Sequence, residues 1–435
     1  MHALFSSCLA YAALLAGVLA FLPGAGLLGA LAVSLAVVMG WRSMRTVPRG
    51  VFVVAGLALV FALGRDPALI AGAATNMTRL AGLILAVLLL SSVLARSRDL
   101  QRISSSLFSG PPRARYASVT FGTALVAVPL NFGSVAVVGS LIAERIRTDG
   151  DSSAARNGTR AVLRGFGVSP IWSPLSISVA LTLTLLPGLS SAQLLSVALP
   201  FALLILLAGF FWREAEPVAI SLPSEDRAGW ASWLRFGSII AAICVGVFLF
   251  SHTYGLSYAR SVTLSCLSAV VVGWALSWFN GNNPRLPNMA NVSNELAIVG
   301  GSAFIGSIIS AVVLGQMGGS ISLPTWAWPL LAALVPWGFF LAGLAGVNPI
   351  VMGTLAGGIL GSVWPGGALL GLGFAMVSGW GITAFGTPFA ANALIMERLT
   401  GYPARDASLR WSLMLSLSAL VLASVVASIL TIGLG

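Results

Sequence analysis

Long apolar stretches, about ten in number, dominate this chain of 435 residues. A helix of roughly 20 apolar residues crosses a bilayer core of about 30 Å, so each stretch is long enough to span a membrane. Hydrophobic residues make up 57% of the chain and charged residues only 8%. The longest polar loops, near 145–160, 213–235 and 280–294, are too short to hold a core of their own. The sequence therefore predicts an all-α polytopic membrane protein without a soluble domain.

All 23 basic residues are arginines, and most of them lie in short loops beside apolar stretches. This placement is typical of cytoplasmic loops under the positive-inside rule. A multi-pass path through the cytoplasmic membrane with a cytoplasmic N-terminus leaves only Arg65, Arg79 and Arg260 at the outer side. Because no basic face exists outside these loops, the net charge of +11 does not indicate a nucleic-acid partner. The expected partner surface is the lipid bilayer.

Segment 117–143 has arginines on both flanks, so a single crossing of the membrane would carry one of these basic flanks to the outside. A re-entrant hairpin with its tip near residues 129–134 removes the conflict, provided that protein or a polar cavity surrounds the tip. A second hairpin is predicted at 327–362. The polar segment 96–113 is predicted to be an amphipathic helix on the cytoplasmic surface, bracing the first hairpin against the other helices.

A shift of 214 residues lays GFGVSPIWSP, residues 165–174, on GWGITAFGTP, residues 379–388. The same shift superposes the other apolar stretches. The predicted fold is one leading helix, retained after synthesis, and two repeats of opposite orientation, each with a re-entrant hairpin and a discontinuous helix. The predicted divisions are the leading helix (1–22), the first repeat (23–212: scaffold helices 24–95, hairpin 117–143, broken helix 160–184, helix 190–212), a cytoplasmic linker (213–235) and the second repeat (236–435: scaffold helices 236–318, hairpin 327–362, broken helix 366–395, helix 411–433).

The two matched windows contain residues that interrupt helices, namely Gly165, Gly167, Pro170, Pro174, Gly379, Gly381 and Pro388. Proline removes a backbone donor and glycine permits unusual dihedrals, so both windows are predicted to break a membrane helix, although a packing kink is the alternative interpretation. Interrupted helices at matching places in inverted repeats are typical of secondary transporters with a site at the repeat interface. The predicted substrate- or ion-binding side chains in and near the breaks and the first hairpin tip are Ser134, Ser169, Ser173, Thr383, Thr387 and Asn392.

In these features the chain resembles the ion transporter superfamily, in particular the divalent anion:sodium symporters and their arsenite-permease-like relatives. Ser169–Pro174 resembles the helix break of those families, with Trp172 where they usually have glycine. Leu130–Phe132 and Val347–Pro349 fall where their hairpin motifs lie, but without the hydroxyls that flank the asparagine. The resemblance implies Asn131 and Asn348 as ion or substrate ligands, and a homodimer.

The predicted function is secondary active transport of a small anion by alternating access, coupled to Na⁺ or H⁺. No paired carboxylates, His/Cys cluster or Ser/His/Asp set is visible, so neither an enzyme nor a further cofactor or metal is expected. Two alternatives are open. A cation/proton antiporter of the same superfamily would need a titrating acid, for which Glu295 is the candidate. A non-transporting membrane protein is the other.

Several side chains carry two interpretations from sequence. Glu295 is either an acid that meets the dipole at a helix start or a buried proton or charge site. Asn392, whose repeat partner is Ser178, either faces the site or bonds a neighbouring helix. Arg164 either attracts substrate or anchors its helix under the positive-inside rule, and two tryptophans are either packing residues or cavity walls, Trp172 and Trp380.

Overall fold

A computed structural model of the protein describes residues 2–95, 97–216, 230–279, 281, 286–316 and 323–433. All regular secondary structure in these ranges is helical. Eleven helical segments within them are long and apolar enough to cross a membrane. The prediction of an all-α polytopic membrane protein is therefore confirmed.

The chain begins with four helices that pack together: α1 (His2–Val18), α2 (Ala25–Gly40), α3 (Thr46–Arg65) and α4 (Ala68–Leu94). α1 is the short leading helix and is not one of the eleven long segments. α4 is the most enclosed of the four, because it contacts α1 and α2 and also two helices from the second half of the chain. A nine-residue helix, α5 (Arg98–Ser106), follows on the surface and lies within the segment predicted to be amphipathic.

The next five helices form the first half of the candidate site: α6 (Pro112–Leu130), α7 (Phe132–Asp149), α8 (Ser153–Trp172), α9 (Ile177–Leu185) and α10 (Ser191–Ala208, extended by a 3-10 turn to Trp212). α6 and α7 meet at a single residue, Asn131, and both pack against α8. This helix pair is longer at both ends than the predicted hairpin, because its arms continue as helix into the polar flanks.

The second half contains α11 (Trp230–Thr253), α12 (Tyr258–Phe279), α13 (Ser293–Gln316), α14 (Ala327–Leu344), α15 (Pro349–Leu355), α16 (Gly361–Val363), α17 (Leu369–Gly386), α18 (Ala391–Thr400) and α19 (Trp411–Ile432). A wide helical turn joins α15 to α16. α11 begins inside the predicted 213–235 linker. α12 and α13 are the two second-half helices that contact α4.

Helix ends in the two halves agree with the 214-residue shift found in the sequence. The shift places α6 on α14 to within one residue, and it places the end of α8 on the end of α17. The start of α9 falls on the start of α18. The interruptions at 173–176 and 387–390 therefore occupy equivalent positions in the two halves.

Candidate functional site

The two interruptions are shorter than the sequence predicted. Pro174 and Pro388 lie in them, beside Ser173 and Thr387. The prediction that the earlier residues of each window break the helix is wrong, because these residues lie inside α8 and α17: Gly165, Gly167, Pro170, Gly379 and Gly381. The helix continues through Pro170 because the Ser169 hydroxyl donates to the Phe166 carbonyl at 2.7 Å, in place of the missing proline N–H.

Gly167 and Gly381 allow α8 and α17 to touch. A Cβ on Gly167 would lie 2.7 Å from the backbone nitrogen of Phe385, and one on Gly381 would meet Ile171 and lie 3.0 Å from the Gly167 carbonyl oxygen. The 214-residue shift relates Gly167 to Gly381 and Ile171 to Phe385, so the two contacts are equivalent. Residue numbers in contact rise on one helix as they fall on the other, so the helices cross in an antiparallel sense.

Gly165 and Gly379 bring each broken helix against the first arm of the hairpin in its own half. A Cβ on Gly165 would lie 3.1 Å from the Thr123 Cβ on α6, and one on Gly379 would lie 2.9 Å from the Pro336 Cα on α14. In the hydrocarbon region small residues allow backbones to approach closely. The repeated Gly-x-Gly pattern is therefore a helix-packing motif, which the sequence alone did not distinguish from a break.

The carbonyl groups freed by Pro174 and Pro388 are bonded across each break by equivalent residues. The Ser178 hydroxyl donates to the carbonyl of Pro170, four residues before Pro174. The Asn392 amide donates to the carbonyl of Ala384, four residues before Pro388, at 2.9 Å. Asn392 is 1% exposed, and because Ala384 belongs to α17, its amide bonds the neighbouring half-helix across the break.

The remaining predicted hydroxyls at the breaks lie buried. Thr383 and Thr387 donate to the carbonyls of Gly379 and Thr383 at 2.7 and 2.8 Å, which leaves their oxygens free to accept. The Ser173 hydroxyl is buried without a hydrogen-bond partner among the described residues. Tyr258 on α12 donates to the Pro174 carbonyl at 3.0 Å and connects the first break to α12.

The two hairpin tips place their asparagines differently. Asn131 has φ of +47°, which makes it the one non-glycine residue with positive φ in the described part of the chain. Such a backbone is costly outside glycine and is often found at functional sites. Its carbonyl accepts from the Ser134 hydroxyl at 2.7 Å. Asn348 instead caps α15, because its Oδ1 accepts from the Ile350 N–H at 2.8 Å.

The second arm of each hairpin runs parallel to the second half-helix of the other half. A Cβ on Gly139 of α7 would lie 2.8 Å from the Met396 sulfur of α18. Further along both chains, just past the ends of the two helices, the Tyr402 hydroxyl donates to Asp151. The equivalent helices α15 and α9 are also in contact, because a Cβ on Gly353 would lie 3.0 Å from the Leu181 Cδ2. The first residues of α7 and α18 therefore lie at the same end of their pair.

These two pairs of helix starts differ in their capping. The Ser176 hydroxyl accepts from the Val179 N–H and caps α9, and Asn348 caps α15. No side chain caps α7, whose preceding residue is Asn131, or α18, whose preceding residue is Ala390. The first backbone N–H groups of a helix need partners, and together with the dipole they attract anions. The start of α18 is accessible, since Ala391 is exposed.

Arg164 lies in the protein interior and is only 1% exposed. Its guanidinium donates to the Tyr116 hydroxyl at 2.7 Å and to three backbone carbonyls at 2.9–3.1 Å, those of Gly209, Trp212 and Trp411. The side chain thus holds the ends of α10 and α19 against α8. Neither of its predicted roles describes this clamp, because both place the guanidinium in contact with water or lipid headgroups.

Two other predicted residues, Glu295 and Trp380, lie away from the breaks, and Trp172 directly precedes the first one. Glu295 is in the first turn of α13, with a buried Oε2 that has no partner among the described residues. Trp380 packs against Phe339 of α14, with ring centroids 6.3 Å apart. Trp172 faces α6 and α10 instead of the breaks. The packing interpretation therefore describes Trp380, and Trp172 belongs to a separate cleft.

Sequence reasoning missed the position shared by Ser176 and Ala390, where one half has a capping residue and the other does not. Its signal is a polar residue directly before α9 and an alanine at the matching place before α18. It also missed Thr120 and Thr123 on α6, whose buried hydroxyls have no partner among the described residues. Their signal in the sequence is the spacing of three residues, which places both hydroxyls on one face of the first hairpin arm.

No family model matches the chain, and no curated protein matches its sequence.

Proposed function

We propose that the protein is a secondary active transporter that moves a small anion across the cytoplasmic membrane by alternating access, coupled to Na⁺ or H⁺. The observation that carries this proposal is the pair of helix starts, α7 and α18, that lie side by side without side-chain caps. Their positive dipole ends repel each other, and an anion between them removes that repulsion.

The surrounding groups suit a small anion. Asn131 stands at the start of α7 and offers an amide donor, while Asn392 supports the break directly before α18. Discontinuous helices whose half-helix starts point at an anionic group are typical of secondary transporters. The other pair of helix starts is already capped by Ser176 and Asn348, so the proposed anion site is the α7/α18 pair alone.

The proposed architecture is two inverted repeats with two re-entrant hairpins. Support comes from the antiparallel crossing of α8 and α17 at Gly167 and Gly381, and from the equivalent contacts of Gly165 and Gly379. In the proposed mechanism the hairpins and broken helices move as one unit against the scaffold helices α2–α4 and α11–α13. Dimerisation through the scaffold remains part of the proposal.

The test adds a carboxylate where α18 lacks a cap. Ala390→Asp places an acceptor at the start of α18, so the unfolding free energy without ligand should rise by about 1 kcal/mol. The same change should abolish stabilisation by a bound anion, because the carboxylate occupies its place. Purified protein is screened by thermal unfolding against carboxylates, sulfonates and oxyanions, with and without Na⁺.

Ser176→Ala is the matched control, because it removes the cap at the equivalent position of the other half. It should lower the unfolding temperature but leave the anion response intact. Equal loss of the response in both variants would refute the assignment to α7 and α18. A response to cations or pH only, lost in Glu295→Gln, would instead support the antiporter.

A further inference from the structure

A cleft of about 500 Å³ lies between α5 and α6 on one side and α10 and α11 on the other. This volume is within the usual range of small-molecule sites. The wall is mainly apolar and includes two tryptophans; among its residues are Phe121, Leu125, Trp172, Leu199, Leu203 and Trp233. None of these residues takes part in the proposed anion site.

The cleft opens along the outer surface of α10. Leu199 and Leu203 are 42% and 43% exposed, and they continue into the exposed Leu204 and Leu207. α10 belongs to one of the membrane-spanning segments, Ser191–Trp212. Exposed leucines on such a helix contact acyl chains in a membrane, so the molecules that can enter this opening are lipids.

One end of the cleft is polar, and two arginines stand near its serines in the chain. Ser106, Ser109 and Ser118 line this end. Arg102 precedes Ser106 by one helical turn on α5 and shares its face, and Arg113 stands between Ser109 and Ser118 in the chain. Both arginines are exposed and make no ion pair with any described residue. Basic pockets between membrane helices are suited to anionic headgroups.

We propose that this cleft binds one anionic phospholipid, with an acyl chain between α6 and α10 and the headgroup phosphate near Arg102 and Arg113. The apolar walls, which open to the bilayer, match the acyl chain, and the nearby arginines match the phosphate of the headgroup. The occupant contacts α11 of the scaffold through Trp233 and α8 through Trp172. An influence of the lipid on transport rests on the proposed function, whereas binding itself does not.

The test uses purified protein in detergent and native mass spectrometry, with phosphatidylglycerol and phosphatidylcholine of identical acyl chains as probes. Wild type should retain one phosphatidylglycerol and bind phosphatidylcholine more weakly. Leu203→Trp adds bulk at the opening of the cleft and should weaken binding of the lipid. Leu204→Trp, at an equally exposed neighbour that does not line the cleft, is the matched control and should bind as wild type.

A second variant changes only exposed side chains and cannot fail through misfolding of the core. Arg102→Gln with Arg113→Gln should weaken phosphatidylglycerol binding about fivefold per arginine and leave phosphatidylcholine binding unchanged. Inorganic phosphate should not displace the lipid. Displacement by phosphate, equal binding of both lipids, or unchanged binding in Leu203→Trp would each overturn the proposal.

Discussion

At the scale of single residues, the two halves of the chain use the same positions with different chemistry. Ser178 and Asn392 both replace a donor that a proline lacks, one with a hydroxyl and the other with an amide. Ser176 and Ala390 also share a position, but only the serine caps its helix. Matching positions thus preserve the breaks, while the mismatch between Ser176 and Ala390 leaves the start of α18 without a side-chain cap.

Arg164 provides a residue-scale prediction. Arg164→Lys retains the charge but replaces a planar group with five donors by an ammonium with three. At least two buried acceptors then lose their partner at about 1–3 kcal/mol each, so the unfolding free energy should fall by more than about 2 kcal/mol. Thermal unfolding in detergent measures the change, with Arg113→Lys as a control that should be neutral. If both variants were equally stable, the interior hydrogen bonds of Arg164 would not matter for stability, and its role would be that of a positive-inside anchor.

How far the sequence predicted the site depends on the range of the interactions involved. Pro174 and Pro388 act on carbonyls four residues away, so the repeat alignment placed both breaks near the right residues. Gly165 and Gly167 act on partners dozens to hundreds of residues distant, on α6 and α17. A glycine that permits a turn and a glycine that permits contact look the same in one sequence, which is why the predicted breaks extended too far.

At the scale of helices, the crossing of α8 and α17 depends on the absence of side chains at its centre. Gly167→Ala would place a methyl group 2.7 Å from the Phe385 backbone nitrogen. Because a backbone atom cannot rotate away, the helices must separate, and overpacking of this kind costs about 1–3 kcal/mol. Lower thermal stability is expected in unfolding measurements in detergent, and the proposed function adds lower anion uptake into proteoliposomes.

Gly56→Ala is the control for that prediction. Gly56 lies in α3, and a Cβ there would meet nothing within 4 Å. Alanine favours a helix more than glycine does, so this variant should be as stable as wild type or slightly more stable. Equal losses in both variants would mean that close approach is not what Gly167 provides.

The attachment of α5 to α11 carries a pH dependence. Hydrogen bonding to Arg235 lowers the pKa of Asp99 from 3.8 to about 2, with further bonding to Ser232. Because the folded pKa lies below the unfolded one, the contact stabilises fully above about pH 4 and is lost as pH falls towards 2. Wild type should therefore unfold at a higher temperature than Asp99→Asn at pH 5–8.

That difference between wild type and Asp99→Asn should shrink below about pH 4 and be largely lost near pH 2. Thermal unfolding across the pH range measures it, and Asp149→Asn is the control, since its partner Arg145 lies on the same exposed helix end. A difference that persists unchanged at pH 2 would show that Asp99 acts through something other than its charge.

At the scale of the whole molecule, the proposed hairpins enter from opposite sides of the membrane. The test starts from a variant in which the native Cys8, Cys244 and Cys266 are replaced. Cysteines introduced at positions 131 and 348 should then react with impermeant thiol reagents applied from opposite sides. Ligand that shifts the transport unit should change the accessible side. Labelling of both positions from one side, whatever the ligand, would make the hairpins ordinary crossings and remove the inverted architecture.

The exchange of hairpin arms between the halves also affects how the chain is made. α7 packs along α18 and α9 packs along α15, so these two helices of the first half lack a partner that is synthesised about 200 residues later. Membrane proteins of several helices fold progressively as they emerge, yet here the first half cannot complete its interior alone. Until then its polar breaks must be shielded from lipid, so the fold is completed only after α18 has entered the membrane.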